Sequence, residues 1–163
     1  MKVLFVYPNL FGMNMLPPAV GILNGILRQE GHTTAVFDTT SYVEWGEGHV
    51  SDKLKEKHLN VRPFDDALLR QDEKYTRPTE DFKNYVQSFS PDIIALSLTE
   101  DSYPNGVELL RALNPRDRPV IVAGGVFPTF APELALRKAG GLIDYLLTGE
   151  AREVCLTFAG GSN

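Results

Sequence analysis

Residues 2–7, KVLFVY, are apolar after the opening lysine, and Pro8-Asn9 closes the run. A strand with one solvated face alternates polar and apolar positions. An unbroken run fits a strand buried on both faces, as in a parallel sheet. After a loop come Pro17 and Pro18, placed where a helix opens and a missing N–H costs nothing. Ala19, Ile22, Leu23, Ile26 and Leu27 recur at helical spacing until Gly31, and HTTAVFDTT predicts a second strand over 33–38. TEDFKNYVQSF puts Phe82, Tyr85, Val86 and Phe89 on one helical face, and PDIIALSLT is a third buried strand. A helix over 102–113 follows, carrying Val107, Leu109, Leu110 and Leu113, then a fourth strand in PVIVAGG. Pro132 to Ala139 reads as a short helix, DYLLTG as a fifth strand, and EAREVCLTFA opens one more helix.

Strands alternating with helices predict a parallel sheet with right-handed crossovers and helices on both faces. The expected fold class is therefore α/β, a flavodoxin-like (Rossmann-type) doubly wound sheet of five parallel strands. From Ser41 to about Arg77 the periodicity dissolves into mixed charges, with short helices possible near 52–58 and 63–71. A connection that long is more often a lid or a packed insertion than plain loop. Residues 1–163 form one domain with this insertion at 41–77. Because the chain stops inside or just after its last helix, it is expected to be a piece of a longer protein.

Composition narrows the picture. Hydrophobic residues make up 43% and charged residues 23%, the mix of a globular domain. A net charge of −5 argues against a nucleic-acid partner, which needs clustered Lys and Arg. The one cysteine, Cys155, excludes a disulfide framework and an all-cysteine metal site and fits a cytoplasmic location. No apolar run approaches the roughly 20 residues that span a bilayer.

In open parallel sheets ligands bind beyond the carboxyl ends of the strands. The third strand ends on Ser97, Leu98 and Thr99, with two small hydroxyls able to bond a ligand. The fourth ends on Gly124 and Gly125, where backbone can be approached without a Cβ in the way. Gly149 closes the fifth, and Glu150 starts the next helix. Taken singly, each glycine could simply make a turn; together they converge on one edge. No G-x-G-x-x-G follows strand one and no G-x-x-x-x-G-K-[ST] occurs, so the common phosphate cradles are missing. The loop PNLFGMNML lacks the hydroxyls a flavin phosphate would want, and no aspartate ends strand three as a receiver domain requires.

LPPAVGILNGILRQEGHTTAVFD, PDIIALSLT, VIVAGGVFPTFAPE and DYLLTGEA, in this order, resemble the amino-terminal cobalamin-binding domain of cobalamin-dependent radical S-adenosylmethionine enzymes. The resemblance covers the chain except 41–77, and its most specific piece is the double glycine followed by Pro128-Thr129 and Pro132-Glu133. It implies that cobalamin lies across the carboxyl edge, with its nucleotide tail in a slot between strands and helices. Gly124 and Gly125 would open that slot, so that leucine at Gly125 should block it with little effect on folding. Ser97, Leu98 and Thr99 would line it, Val126, Phe127, Pro128 and Thr129 would continue it, and Gly149 and Glu150 would stand beside it. Many relatives have histidine where this sequence has Phe127.

Cobalamin domains of the mutase type carry D-x-H-x-x-G after strand one, whose histidine ligates cobalt. The matching stretch here runs Tyr7 to Gly12, with Asn9 in the histidine's place. This implies a displaced tail base, no histidine below the metal and no metal ligand from this chain. Leu10, Phe11 and Met13 would then cover the lower face, Asn9 and Gly12 would bind the cofactor from the same loop, and His32, His49 and His58 would be surface residues. The family's three-cysteine iron–sulfur motif is absent. The 4Fe-4S cluster and S-adenosylmethionine are expected only in a C-terminal radical barrel domain in cis, and the isolated chain is not expected to be catalytic. Two other readings stay open: a flavodoxin-like nucleotide- or flavin-binding domain, and an interaction module contacting partners through Tyr42, Trp45 and Phe64.

Overall fold

The computed structural model describes residues 1–11, 16–45 and 73–152. Five parallel strands form one sheet: β1 (Lys2–Tyr7), β2 (Thr33–Asp38), β3 (Ile93–Ser97), β4 (Val120–Gly124) and β5 (Tyr145–Leu146). Their order is β2-β1-β3-β4-β5, the flavodoxin-like order, which reverses direction between β1 and β3. The helices are α1 (Pro18–Gln29), α2 (Pro78–Phe89), α3 (Tyr103–Arg111), α4 (Val126–Phe130) and α5 (Pro132–Ala139).

Period-two alternation sorts the strand residues between two unequal layers. Leu4, Val6, Ile94, Leu96, Ile121 and Ala123 point to the larger core, closed by α2, α3 and α5. Val3, Phe5, Ile93 and Ala95 point the other way, where Val20, Leu23 and Leu27 of α1 meet them. Among the described residues α1 is the sole helix on that second face. Val120, on the same side of β4, is 43% exposed, so α1 leaves part of the sheet uncovered.

Three sequence expectations change. The fifth strand pairs over Tyr145–Leu146 rather than through Gly149, with Leu147 N still donating to Ala123 O at 2.8 Å. The stretch between the double glycine and the helix expected from Pro132, assigned to no element by its sequence, is helical over Val126–Phe130. Pro128 is its third residue, and the first N–H groups of a helix have no intrahelical acceptor to lose. Tyr42, expected at an interaction surface, is 1% exposed. Its hydroxyl donates to Asp81 at 3.0 Å, and burial together with that bond pushes the phenol well above its ordinary pKa. Trp45 packs half-buried against the same core, while Phe64 lies outside the described residues.

Both ends of the 41–77 stretch are stitched together. Tyr42 and Lys74 form a parallel bridge, with Val43 N donating to Lys74 O at 3.1 Å and Lys74 N to Ser41 O at 2.8 Å. The helices proposed near 52–58 and 63–71 lie outside the described residues, as does most of the helix expected from Glu150 onward.

At the amino edge, Arg118 and Asp144 clamp β4 to the turn before β5. The guanidinium donates to both carboxylate oxygens, at 2.6 and 2.7 Å, and Ile121 N donates to Asp144 at 2.7 Å. The Arg118 bonds hold the Asp144 carboxyl below the usual carboxylate range. A depressed folded-state pKa contributes stability above the unfolded value, lost as pH falls through the folded one. Asp144→Asn should therefore lower stability by about 1–2 kcal/mol at pH 7, solvent screening included. Urea titrations at several pH values should show that deficit shrinking below about pH 4.

Candidate functional site

A cleft of about 600 Å³ opens at the carboxyl edge, between the thinly covered face of the sheet and α1. Its floor follows from strand alternation. Ser97 pairs in register with Gly124, and one rung back Ala95 pairs with Val122. These four positions all face α1, and the outer rung, with glycine opposite serine, is nearly bare. A Cβ built on Gly124 would meet nothing closer than Leu147, at 3.6 Å, so the hollow is room that a larger residue would fill. Opposite, Ala19, Ile22 and Ile26 form a second apolar stripe on α1 beside the one that packs on the sheet. Ile22 is 57% exposed, an apolar side chain turned to an open groove. Gly149, Glu150 and Arg152 stand at the polar end of the cleft, and Arg152 is the sole cation among its described lining residues.

Gly125 does something different from Gly124. Its φ is +105° and ψ −169°, a conformation essentially restricted to glycine. A Cβ there would stand 2.6 Å from Leu98 O and 2.8 Å from Leu98 N. The close approach lets Leu98 N donate to Gly124 O at 2.9 Å and Phe127 N donate to Leu98 O at 3.2 Å. Gly125 therefore locks the ends of β3 and β4 together, and the expectation that leucine there would leave folding intact is overturned.

The other expected site residues divide. Ser97, Gly124, Gly125, Gly149 and Glu150 meet at the cleft. Thr129 joins them indirectly: its hydroxyl donates to Gly125 O at 2.8 Å and accepts from Gly149 N at 3.1 Å. Leu98 and Phe127 do not line the cleft, because their side chains lie in the larger core on the far side of the sheet. Phe127 meets the ring of Tyr103 edge-on at 4.9 Å, and Pro128 is buried beside it. Thr99 is turned into a tight turn, its N–H and hydroxyl both bonded to Ser102 Oγ at 3.0 and 3.1 Å. Val126 is exposed on α4.

Asn9 is also not presented to a ligand as expected. It is 4% exposed; its amide donates to Thr40 at 3.1 Å, and Thr39 donates to its carbonyl at 2.7 Å. It ties the end of β1 to the end of β2. Thr39 and Thr40 went unnoticed in the sequence, where only the DTT following strand two hinted at them. Leu10 and Phe11 are half-buried, and Gly12 and Met13 lie outside the described residues, as do Cys155, His49 and His58. His32 sits at the opposite, amino edge, half-buried with Nδ1 3.3 Å from the Met1 amino group. Among the described residues no cluster of His, Cys, Asp and Glu could hold a metal ion, and no helix is long and apolar enough to cross a membrane.

The model of the B12-binding domain family matches residues 10–159. The chain belongs to this family. No curated protein sequence matches it. Among solved structures, the B12-binding domain resembles the radical S-adenosylmethionine methyltransferase TsrM from Kitasatospora setae. With tryptophan substrate and an S-adenosylmethionine analogue bound, that structure matches at TM-score 0.65 and 16% identity, over 98% of this chain and 25% of that one. With cobalamin and a [4Fe-4S] cluster bound, it matches at TM-score 0.64 and 16% identity, over 98% and 24%. The chain thus spans about a quarter of the length of the protein it matches. At that identity the likeness speaks for the doubly wound fold.

The residues present fit a cobalamin tail. A cleft of this size takes a drug-sized ligand, which suits a base, ribose and phosphate but not the far larger whole cofactor. The bare Ser97–Gly124 rung and the apolar stripe of α1 suit a flat aromatic ring, and Ser97 Oγ has no hydrogen bond to another described residue. A phosphate cradle at the start of α1 is poorly served, since Pro17 and Pro18 carry no N–H to donate.

Proposed function

We propose that this domain binds cobalamin with the base displaced from cobalt, the nucleotide tail seated in the cleft and no histidine of this chain below the metal. The observation that carries this reading is the cleft floored by Ser97 and Gly124 in a member of the B12-binding family. The tail base would lie between that rung and the stripe of Ile22 and Ile26. Ser97 would donate to or accept from the tail, and Arg152 would meet its phosphodiester. Glu150 would accept from ribose or amide donors. His32 stands at the wrong edge of the sheet to ligate cobalt. Cobalamin, when bound, supplies a cobalt centre that can carry a methyl group or change redox state. This domain would bind it, orient it and hold its tail base in the cleft floored by Ser97 and Gly124.

The longer protein is, in this reading, a radical S-adenosylmethionine enzyme of methyltransferase or cyclase type. The iron–sulfur cluster and S-adenosylmethionine would belong to a C-terminal barrel joined in cis. Likeness in fold to TsrM and the resemblance of VIVAGGVFPTFAPE and DYLLTGEA support it.

Titrating the purified chain with hydroxocobalamin should give saturable binding, with corrin bands shifted toward those of cobinamide as the base is displaced. Flavin mononucleotide and nucleoside phosphates should not saturate. Saturable nucleotide binding with none of cobalamin would reverse the assignment, and a spectrum showing a histidine on cobalt would overturn the lower-face part of it.

A further inference from the structure

Hydrogen bonds at its two ends fix which way each residue of β2 faces. Thr33 N donates to Met1 O at 3.0 Å and Thr39 N donates to Tyr7 O at 3.2 Å, both toward β1. In a parallel ladder one residue's N–H and C=O point to the same neighbour, and the next residue's point to the opposite side. The odd-numbered residues of β2 are therefore bonded to β1, and Thr34, Val36 and Asp38 turn their backbone groups outward. β2 is an edge of the sheet, and no described residue bonds those outward groups. Edge strands are commonly blunted by proline, lysine, a bulge or extreme shortness. TTAVFD has six residues, no proline and no lysine, and pairs with β1 residue for residue without a bulge. Beside it lies a hollow of about 510 Å³, lined in part by Phe37, Asp38, Asn84, Tyr85 and Ser88. α2 thus stands back from this edge and leaves room for another strand to come alongside.

The outward groups are arranged symmetrically about Val36. When a second β2 is laid antiparallel with Val36 opposite Val36, Thr34 of each copy meets Asp38 of the other. Every outward residue then sits in a hydrogen-bonded pair, whose two members exchange both N–H···O bonds. On the α2 face Ala35 lies opposite Phe37, small against large, and nowhere in this register do like charges meet. A two-fold contact requires a surface that complements itself, and this edge does. We infer that two copies of this chain join β2 to β2 across a two-fold axis, extending the five-stranded sheet of each into the other. Cobalamin has no role in the contact: the cleft is floored by β3 and β4, whereas the joint uses the strand at the sheet's end. A contact built mainly of backbone bonds is small, so a reversible dimer at micromolar concentrations is expected.

Sedimentation velocity of the full chain, from low micromolar to near-millimolar concentration, should show monomer giving way to dimer, with or without hydroxocobalamin. Amide exchange followed by NMR identifies the surface. The amides of Thr34, Val36 and Asp38 should exchange fast in dilute chain and slow by about tenfold or more as concentration rises. Those of Ala35 and Phe37, bonded to β1, should stay protected throughout. Val36→Pro should fold, because the N–H it removes faces outward and a free edge tolerates proline. It should weaken the dimer roughly thirtyfold, as two backbone bonds are lost. A chain that stays monomeric at every concentration would overturn the proposal. So would outward amides protected even in the dilute monomer, since the edge would then be covered within one copy. A dimer that leaves those amides unprotected, or that keeps parent affinity in folded Val36→Pro, joins through another surface and overturns it equally. If the proline variant does not fold, the exchange pattern of the parent chain decides alone.

Discussion

Gly124→Leu is expected to fold normally and to bind hydroxocobalamin about a hundredfold more weakly, a loss near 2.7 kcal/mol. Cobinamide binding should be retained. Gly124 has no left-handed backbone to protect, and its hypothetical Cβ meets Leu147 at an ordinary 3.6 Å. The side chain would project on the same face as Val122, into the space between Ser97 and α1. A leucine would therefore occupy the volume proposed for the tail base without displacing the sheet. Visible-spectrum titration of both corrinoids, beside urea unfolding, separates loss of the site from loss of the fold. Unchanged cobalamin affinity in a folded Gly124→Leu chain would show that the tail sits elsewhere.

Its neighbour should behave in the opposite way. Gly125→Ala adds one methyl group, yet a destabilisation of about 3 kcal/mol or more is expected. Forcing a side chain into so rare a backbone conformation costs of order 1–3 kcal/mol by itself. The new Cβ would also stand 2.6 Å from a backbone oxygen that accepts a bond from Phe127, so relief of the clash breaks that bond. For a domain of this length the melting temperature should fall by about 10 °C. Bound cobalamin should recover little of it, since the damage lies in the junction of β3 with β4. A Gly125→Ala chain melting within a degree or two of the parent would refute this account.

Adjacent glycines that look alike in the sequence thus have separate duties, and the reason is one of direction. Alternation along β4 sends position 124 toward α1, whereas 125 has already left the strand and meets the backbone of Leu98, just past β3. The pattern of apolar runs was enough for strand order, for four of the five strands and for the helices that carry a stripe. It was enough, too, for the edge of the sheet at which the cleft opens. It failed where a residue's fate hangs on a distant partner. Asn9 is consumed by Thr39 and Thr40, and Tyr42 by Asp81, contacts separated by roughly thirty to forty residues that no local spacing records. It failed again at α4, where Pro128 reads as a helix breaker although the first turn tolerates it. The burial of Phe127 depends on that helix.

The bridge between Tyr42 and Lys74 has a consequence for how this fold can change. The chain leaves the sheet at Ser41 and comes back to a hydrogen-bonded neighbour of its point of departure. The entropy of closing such an excursion grows only by about 0.6 kcal/mol for each doubling of its length. Evolution can therefore lengthen, shorten or exchange the sequence between the two sides of this clasp while the five strands and their carboxyl edge stay as they are.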